Sequence, residues 1–301
     1  MTHVLRAAGL RPRKKLGQNF LVDPNISRKL IRAIAPQPGE AFLEIGAGVG
    51  ALTVPLAETG AEVFAVEIDP RLTPLLKEVV GRFEDVHVIE GDILSLDISK
   101  LAAKAGVSRL QVLGNLPYNI TTQVILYLIE NRKYIGRTLI TIQREYAGRL
   151  LAGPGSRSYG SISVLTRFYA TIEKVATIPR TCFFPAPEVT STAIRLQFRE
   201  KPLVQVKNEG VFEEVVRAAF SHRRKTLLNS VAERLKLDKP RIEALLKTAG
   251  VDSGKRAEEL TLEELAGIAD VFYSADILNL GENVSKNLRN KMRDLKLRRL
   301  D

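Results

Sequence analysis

The four residues Asn115-Leu116-Pro117-Tyr118 follow a short apolar segment and combine an amide, a rigid turn and an aromatic ring. An exocyclic amine on a nucleobase is a poor nucleophile because its lone pair is delocalised. Hydrogen-bond acceptors at its two N–H groups favour a pyramidal nitrogen and stabilise the positive charge that develops there. The Asn115 side-chain oxygen and the Leu116 carbonyl fit these acceptors, and Tyr118 offers a face for the base. The motif predicts methyl transfer to such an amine; the alternative is a Pro-containing turn with a buried tyrosine.

A glycine turn, Gly46-Ala47-Gly48-Val49-Gly50, directly follows a β-rich segment. Glycine lets the backbone pass close to a ligand, but GxGxG spacing departs from the GxGxxG of dinucleotide sites. We expect Glu44, just before the turn, to repel a pyrophosphate, whereas a cationic nucleoside such as S-adenosylmethionine would tolerate it. The turn alone is a weak signal, because it also serves simply to close a βα unit.

Acidic residues stand at the ends of the next two β-rich segments. Glu67 and Asp69 stand at the end of one of them, where nucleotide-binding sheets place a carboxylate for the ribose hydroxyls. Asp92 follows the other and is a candidate to bind an adenine amino group. Such acids are also common as turn residues and helix caps. Their position at consecutive strand ends favours the nucleoside site.

A second aromatic element is Phe183, followed by Phe184 in a proline-rich loop. We expect Phe183 and Tyr118 to sandwich a base, since stacking contributes about 1–3 kcal/mol per base. The alternative is that this Phe-Phe pair fills the core.

Basic residues cluster at two places. One cluster is Arg11, Arg13, Lys14 and Lys15; the other is Arg223, Arg224 and Lys225, which the pattern places at the opening of a helix. Cations oppose the dipole at a helix N-terminus, so an external phosphate is a reason for the second cluster, although basic runs are usually solvated faces.

These residues require a scaffold, and the apolar pattern predicts an α/β fold with a parallel sheet and crossover helices from Asp23 to about Phe198. Helical periods dominate from about Leu203. We predict four parts: a basic arm at 1–22, a Rossmann-like domain at 23–202, a helical RNA-binding domain at 203–280 and a basic tail at 281–301. The predicted strands are Ala41 to Ile45, Glu62 to Ile68, Val86 to Glu90, Leu110 to Leu113, Arg137 to Gln143, Ala170 to Ile178 and Ser191 to Phe198, the last two as an antiparallel pair at the sheet edge.

Composition limits the partners. The chain has 301 residues and a formal net charge of +11, which favours an anionic partner such as nucleic acid. One cysteine, Cys182, and three scattered histidines predict no disulfide and no metal site. We find no membrane-spanning segment and no secretory signal, and expect a cytoplasmic protein.

Five separated motifs together resemble those of the ribosomal-RNA adenine dimethyltransferase family, in its bacterial small-subunit branch. The resemblance runs from about Arg13 to Leu235. The motifs are Lys15-Leu16-Gly17-Gln18-Asn19-Phe20-Leu21, Glu44-Ile45-Gly46-Ala47-Gly48, Asn115-Leu116-Pro117-Tyr118, Phe183-x-Pro185-x-Pro187-x-Val189-x-Ser191 and Phe220-Ser221-His222-Arg223-Arg224-Lys225-Thr226-Leu227.

The resemblance implies a class I S-adenosylmethionine-dependent methyltransferase with a seven-stranded sheet and a small C-terminal helical domain. It implies N6,N6-dimethylation of two adjacent adenosines near the 3′ end of small-subunit (16S) rRNA, with a role in subunit biogenesis. The partner would be the small ribosomal subunit, and a single large RNA partner gives no reason to expect a dimer, so we expect a monomer. The cofactor-binding residues implied are Asn19, Leu21, Gly46, Gly48, Glu67, Asp92 and Asn115.

Three alternatives differ in substrate or activity. A relative that methylates large-subunit rRNA and confers antibiotic resistance shares the glycine turn and Asn-Leu-Pro-Tyr; the segment from Phe220 to Leu227 favours the small-subunit enzyme. An RNA-binding assembly factor without turnover keeps the fold, but Asn115 and Tyr118 are intact here. A nicotinamide oxidoreductase is disfavoured by the glycine spacing.

Overall fold

A computed structural model describes residues 9–278. They divide into two compact units, one of residues 9–151 with 169–200 and one of residues 152–168 with 201–278. The strands are β1 (Phe20–Leu21), β2 (Ala41–Ile45), β3 (Glu62–Glu67), β4 (Val86–Glu90), β5 (Leu110–Asn115), β6 (Ile135–Gln143), β7 (Ala170–Ile178), β8 (Phe183–Phe184) and β9 (Ser191–Phe198).

The helices of the first unit alternate with its strands. They are α1 (Pro24–Ile34), α2 (Thr53–Ala57), α3 (Thr73–Val80), α4 (Ile98–Lys104), α5 (Thr121–Glu130) and α6 (Arg144–Leu151). The others are α7 (Ser161–Tyr169), α8 (Glu209–Ala219), α9 (Leu227–Leu235), α10 (Lys239–Thr248) and α11 (Leu262–Ser274). Short 3₁₀ helices lie at Lys14–Leu16, Ile93–Ser95, Tyr118–Ile120, Arg132–Tyr134, Arg180–Cys182 and Ala257–Glu259.

Seven strands form the central sheet of the first unit, in the order β4-β3-β2-β5-β6-β9-β7. The first five run parallel, and β9 and β7 are antiparallel additions at one edge. The α/β fold and the edge pair Ala170–Ile178 with Ser191–Phe198 are therefore confirmed. The chain leaves β2 toward β3 and β4 and later returns to β5 on the other side. In such sheets a crevice opens at the carboxyl ends of the two strands where the direction changes.

Local chemistry explains how the first unit begins. The Asp23 side chain accepts hydrogen bonds from the backbone N–H groups of Asn25 and Ile26, at 2.8 and 3.4 Å. Pro24 then occupies the first helical position, which has no intrahelical partner for an N–H group. α1 buries Leu30 and Ile34 in the core cluster that includes the β2 side chain Phe42.

The segment before α1 belongs to the first unit. β1 pairs antiparallel with β8, with Phe20 opposite Phe184 and Leu21 opposite Phe183. Leu21 and Phe183 are 4% exposed and lie in the main core cluster. The arm predicted at 1–22 is thus, over its described part, packed against the sheet-containing unit.

The second unit is helical, as predicted, but it is made of two stretches of chain. The Phe168 and Phe212 rings stack with centroids 4.1 Å apart, and Tyr159 meets Phe220 edge-on at 5.7 Å. The boundary predicted at 202 is therefore incomplete, because residues 152–168, assigned to the Rossmann-like domain, pack with the helices after residue 201. The tail predicted at 281–301 lies outside the described residues.

The described part of the chain has no helix that is long and apolar enough to cross a membrane. Among the same residues, 9–278, no three side chains of His, Cys, Asp or Glu are grouped as metal ligands. The Cys182 thiol is buried and donates a weak hydrogen bond to the Asp23 carboxylate, with sulfur and oxygen 3.6 Å apart.

Candidate active site

An open cavity lies in the first unit at the carboxyl ends of β2, β3 and β5. Three segments provide the walls: the chain before and at β1, the turns after β2 and β3, and the loop after β5. The lining residues are Leu16, Gly17, Gln18, Asn19, Phe20, Gly46, Gly48, Glu67, Ile68, Asn115, Leu116, Pro117 and Tyr118.

Asn115 ends β5 and is held by the chain before β1. Its side-chain Nδ2 donates to the Asn19 carbonyl oxygen at 2.8 Å. The next residue is fixed as well, since the Leu116 N–H donates to the Thr141 carbonyl at 3.0 Å. This bond fixes the orientation of the amide, whose acceptor atom is Oδ1.

Tyr118 lines the cavity and is fixed at its hydroxyl end. Its Oη lies 2.7 Å from Oγ of Ser191, the first residue of β9. Ser191 is fully buried, so the partner is rigid. Burial raises the pKa of Tyr118, and the phenol stays neutral at physiological pH. The sequence motifs include Ser191, but pattern analysis assigned it no role in the site.

The glycine turn after β2 is held by backbone hydrogen bonds. The N–H groups of Gly46 and Ala47 both donate to the Val66 carbonyl, at 2.9 and 3.0 Å. Gly46 and Gly48 have φ of 74° and 58°, in the left-handed region that favours glycine. A Cβ atom at Gly48 would lie 3.2 Å from the Phe20 ring, so the turn has no room for a side chain.

Glu67 connects the turns after β2 and β3. Its Oε2 accepts from the Gly48 N–H and its Oε1 from the Asp69 N–H, both at 2.8 Å. The residue is 5% exposed and lines the cavity. Burial raises its pKa although both hydrogen bonds oppose the shift. Each carboxylate oxygen accepts more than one hydrogen bond, so capacity for ribose hydroxyls remains.

Glu44 does not play the part expected for it. It is 1% exposed, does not line the cavity, and its Oε2 has no hydrogen-bond partner among the described residues. Burial, reinforced by the nearby Glu67 carboxylate, raises the pKa of Glu44 to about 8. The group is therefore mostly protonated at neutral pH. The expectation that it repels a pyrophosphate is wrong, and the case against a dinucleotide rests on the other residues.

Three of the predicted catalytic and cofactor-binding residues lie outside the cavity lining. Leu21 and Phe183 are buried opposite one another in the β1–β8 pair, so the Phe183 ring fills the core and forms no wall opposite Tyr118. Asp92 caps the short helix Ile93–Ser95 by accepting from the Leu94 N–H at 2.9 Å. The turn that carries it is joined to the end of β3, because the Gly91 N–H donates to the Glu67 carbonyl at 2.8 Å.

Ile68 is a cavity residue that sequence reasoning missed. Its side chain is 45% exposed although it is large and apolar, and it lies between Glu67 and Asp69. An exposed isoleucine beside a carboxylate gives an apolar surface for a flat ring next to an acceptor for hydroxyl groups. The signal in the sequence is an apolar residue between two acids at a strand end.

The basic residues Arg223, Arg224 and Lys225 lie in the second unit and are exposed. They do not open a helix: Thr226 caps α9, which begins at Leu227, so the cluster occupies the preceding turn. Arg223 donates to the Arg157 carbonyl at 2.6 Å, and Lys225 is paired with Glu233. That ion pair lowers the pKa of Glu233.

The cavity fits S-adenosylmethionine in the chemistry of its walls. Glu67 offers acceptors for the ribose, Ile68 an apolar face, and the narrow glycine turn leaves backbone beside the ligand. Asn115 lines the same cavity. A carboxylate with a free lone pair and an amide oxygen suit a cationic nucleoside better than a pyrophosphate.

A family model described as ribosomal RNA adenine dimethylase matches residues 9–273 of the chain. The chain belongs to this family. Membership confirms the expected enzyme class, an S-adenosylmethionine-dependent rRNA adenine dimethyltransferase with a Rossmann-like fold and a seven-stranded sheet.

Curated relatives agree over nearly their whole length. The chain is 43% identical over 272 residues to ribosomal RNA small subunit methyltransferase A of Moorella thermoacetica. The aligned region covers 88% of this chain and 94% of the relative. It is 42% identical over 280 residues to the protein of the same name from Pelotomaculum thermopropionicum, covering 90% and 95%.

Two solved structures share the fold. A dimethyladenosine transferase from Plasmodium falciparum superposes with a TM-score of 0.71 at 24% identity, covering 85% of this chain and 98% of that one. The 23S rRNA methyltransferase ErmE superposes with a TM-score of 0.63 at 26% identity, covering 84% and 99%.

Proposed function

We propose that this protein dimethylates N6 of two adjacent adenosines in the 3′-terminal hairpin of small-subunit rRNA, as a step of small-subunit biogenesis. The names of the relatives from Moorella and Pelotomaculum support the substrate. The observation that carries the chemistry is the hydrogen bond from Asn115 Nδ2 to the Asn19 carbonyl. It orients the Asn115 amide, whose oxygen is the hydrogen-bond acceptor that an adenine amine requires.

Asn115 Oδ1 and the Leu116 carbonyl accept the two N–H groups of the target amine. These contacts draw the nitrogen lone pair out of conjugation and stabilise the charge that develops on it as the new bond forms. Pro117 restricts the backbone between the two acceptors and the aromatic ring. The first methylation leaves one N–H on the nitrogen, and either acceptor then suffices to orient the second.

Tyr118 stacks on the flipped base, with its ring held by Ser191. The clamp is one-sided in this arrangement, because the Phe183 ring lies in the core. Phe183 supports the site by pairing with Leu21, which fixes the chain that carries Asn19. The stacking role of Tyr118 and the supporting role of Phe183 are tested by measuring kcat/KM for the target RNA rather than the affinity for the cofactor.

S-adenosylmethionine supplies an electrophilic methyl group when bound. In this chain Glu67 binds the ribose, Ile68 contacts the adenine face, and Asp92 binds the adenine amino group after a small adjustment of its cap. Gly46 and Gly48 admit the ligand beside the backbone, and Asn19 and Leu21 hold the wall above it. No dedicated base is needed, because the proton leaves the methylated amine to water.

Arg223, Arg224 and Lys225 bind RNA phosphates in this proposal, which the chain's formal net charge of +11 supports. The RNA substrate places the activity in the cytoplasm. One large RNA partner requires no second copy of the chain, so we expect a monomer.

The test is methyl incorporation from labelled S-adenosylmethionine into unmethylated small subunits, large subunits and ribosome-free RNA, followed by nucleoside mass spectrometry. We expect dimethyladenosine from small-subunit RNA. Dimethyladenosine from large-subunit RNA would identify a resistance-type enzyme, and RNA binding without transfer would identify an assembly factor.

A variant pair tests the assigned chemistry. Asn115→Ala should reduce methyl transfer by roughly a hundredfold or more with a small change in cofactor affinity. Asn131→Ala is the matched control, since Asn131 Nδ2 donates to the Tyr127 carbonyl at the end of α5, outside the cavity. Near-normal transfer by Asn115→Ala would contradict the role.

A further inference from the structure

The chain before β1 forms one entire wall of the cavity. Five consecutive residues, Leu16 to Phe20, line it. We call residues 10–20 the strap, because they contact both the β3 side and the β5 side of the cavity. Its first residue, Leu10, and its last, Phe20, pack against the small apolar cluster of Val49 and Leu72.

On the β5 side the strap is bound to the loop that carries the acceptor asparagine. Asn115 Nδ2 donates to the Asn19 carbonyl at 2.8 Å, and Asn119 Nδ2 donates to the Lys15 carbonyl at 3.3 Å. The approach is close: a Cβ atom at Gly17 would lie 2.9 Å from Asn119 Oδ1. Any outward movement of the strap therefore removes the bond that orients the Asn115 amide.

On the β3 side the strap is bound to one carboxylate, that of Asp69. Gln18 Nε2 donates to Asp69 Oδ2 at 2.9 Å, and the Arg13 guanidinium lies 3.5 Å from Oδ1. Gln18 is braced in turn, because its Oε1 accepts from the Arg13 backbone N–H at 2.7 Å. The Asp69 side chain is fully buried beneath these groups, and Arg71 binds it from its own turn at 2.6 Å.

Asp69 is not itself a lining residue. Hydrogen bonds between the Arg71 guanidinium and this carboxylate lower its pKa to about 2, so the group is ionised throughout the physiological range. Charge-assisted hydrogen bonds of this kind are roughly twice as strong as neutral ones. The cavity-side neighbour Glu67 is bonded to the Asp69 N–H, so the same turn positions the residue expected at the ribose.

We propose that Asp69, acting through Gln18 and Arg13, holds the strap closed over the cofactor cavity and thereby sets the affinity for S-adenosylmethionine. Asp69 is a positioning residue in this scheme. The step from strap to Asn115 rests on the proposed function; the step from Asp69 to cofactor affinity does not. Release of the cofactor product requires the strap to open, and a bound ligand stabilises the closed strap by mass action.

The experiment compares Asp69→Asn, Gln18→Ala and the wild type, with Glu58→Gln as the control. Glu58 is paired with Arg82 on the surface and does not line the cavity. Calorimetry measures the Kd for S-adenosylhomocysteine. Limited trypsin digestion, followed by mass spectrometry, measures cleavage at the three strap sites, Arg13, Lys14 and Lys15. Initial rates give kcat and the KM for S-adenosylmethionine.

Both variants should bind S-adenosylhomocysteine on the order of tenfold more weakly, as expected for loss of one charge-assisted hydrogen bond. Trypsin should cleave the strap faster in the free variants, and saturating S-adenosylhomocysteine should restore protection. The KM should rise while kcat at saturating cofactor stays near the wild-type value. The control should behave as the wild type in all three measurements.

Wild-type affinity and cleavage in both variants would overturn the proposal, as would a fall in kcat with unchanged affinity. If Asp69→Asn fails to fold, Gln18→Ala decides, because Gln18 is a partly exposed residue whose truncation leaves Asp69 paired with Arg71. Expected changes in affinity and cleavage, with no dimethyladenosine from any RNA, would support the strap and refute the proposed substrate.

Discussion

The Tyr118 phenol oxygen and the Ser191 hydroxyl oxygen are 2.7 Å apart, and this contact joins the loop after β5 to the start of β9. Ser191 is fully buried and pairs with both neighbouring strands, so it is a fixed point in the sheet. The orientation of the Tyr118 ring therefore depends on an antiparallel strand that contributes no residue to the cavity lining.

Ser191→Ala should lower kcat/KM for RNA by about three- to tenfold, the effect of one lost neutral hydrogen bond, because the Tyr118 ring loses its fixed orientation. Affinity for S-adenosylmethionine should not change. Tyr118→Phe should have a similar effect, and the double variant should be no worse than either alone. Ser99→Ala, on the exposed start of α4, is the control. Additive losses would show that the two residues act independently.

Gly48→Ala should weaken cofactor binding beyond its effect on stability. An alanine there meets unfavourable positive φ and places Cβ 3.2 Å from the Phe20 ring, which must move the strap. Gly60→Ala is a matched control, since Gly60 has φ of 78° but open space around its Cβ position. Both should lose about 1–2 kcal/mol of stability, measured by urea unfolding. Equal cofactor affinity in the two variants would contradict the claim that a side chain at position 48 displaces the strap.

Glu44→Gln should change how stability depends on pH. The pKa of Glu44 is raised to about 8, so between about pH 4.5 and 8 the folded protein holds a proton that the unfolded chain releases. Wild-type stability therefore falls as pH rises through this window. Glutamine cannot titrate, and the variant should gain roughly 1–3 kcal/mol over the wild type at the upper end and little at the lower end.

Urea unfolding across that window, followed by circular dichroism, gives the difference directly. Glu58→Gln supplies the control, because its carboxylate is on the surface and paired with Arg82. A difference between Glu44→Gln and the wild type that stays constant with pH would show that Glu44 is ionised in the folded protein.

Arg224→Ala should reduce the salt dependence of RNA binding. A residue that neutralises one phosphate releases counterions, so the slope of log Kd against log salt should fall by about one unit. The loss should be similar for RNAs of different sequence. Arg82→Ala, another exposed arginine, should leave the slope unchanged. Filter binding to small-subunit RNA at a series of salt concentrations measures both slopes; identical slopes would exclude Arg224 from the interface.

The parallel part of the fold followed from short apolar runs bounded by Gly, Asp or Pro. Ala41–Ile45 and Val86–Glu90 have the predicted bounds because each strand is followed at once by a turn that its glycine dictates. α7 was missed, since its sequence SISVLTRFY is rich in β-branched and aromatic residues, which indicate strand. Helix packing in the second unit overrides that preference.

The position of a site residue could be predicted where it depends only on the neighbouring sequence. Asn115, Tyr118 and the glycine turn line the cavity because they lie at or just after the carboxyl ends of central parallel strands. Phe183 and Glu44 were misplaced for a different reason: which face of an extended segment is buried depends on its partner strands, and a sequence does not show them. The contacts of Asp69 with Gln18 and of Tyr118 with Ser191 join distant residues, so no local pattern signals them.

The division of the second unit between two stretches of chain governs when it can fold during synthesis. Residues 152–168 leave the ribosome before β7, β8 and β9, which complete the other unit. Phe168 must therefore wait for Phe212, its stacking partner, until the whole sheet has been translated. For the same reason a fragment that begins at residue 201 would lack part of its own core, and an excised second unit needs both stretches.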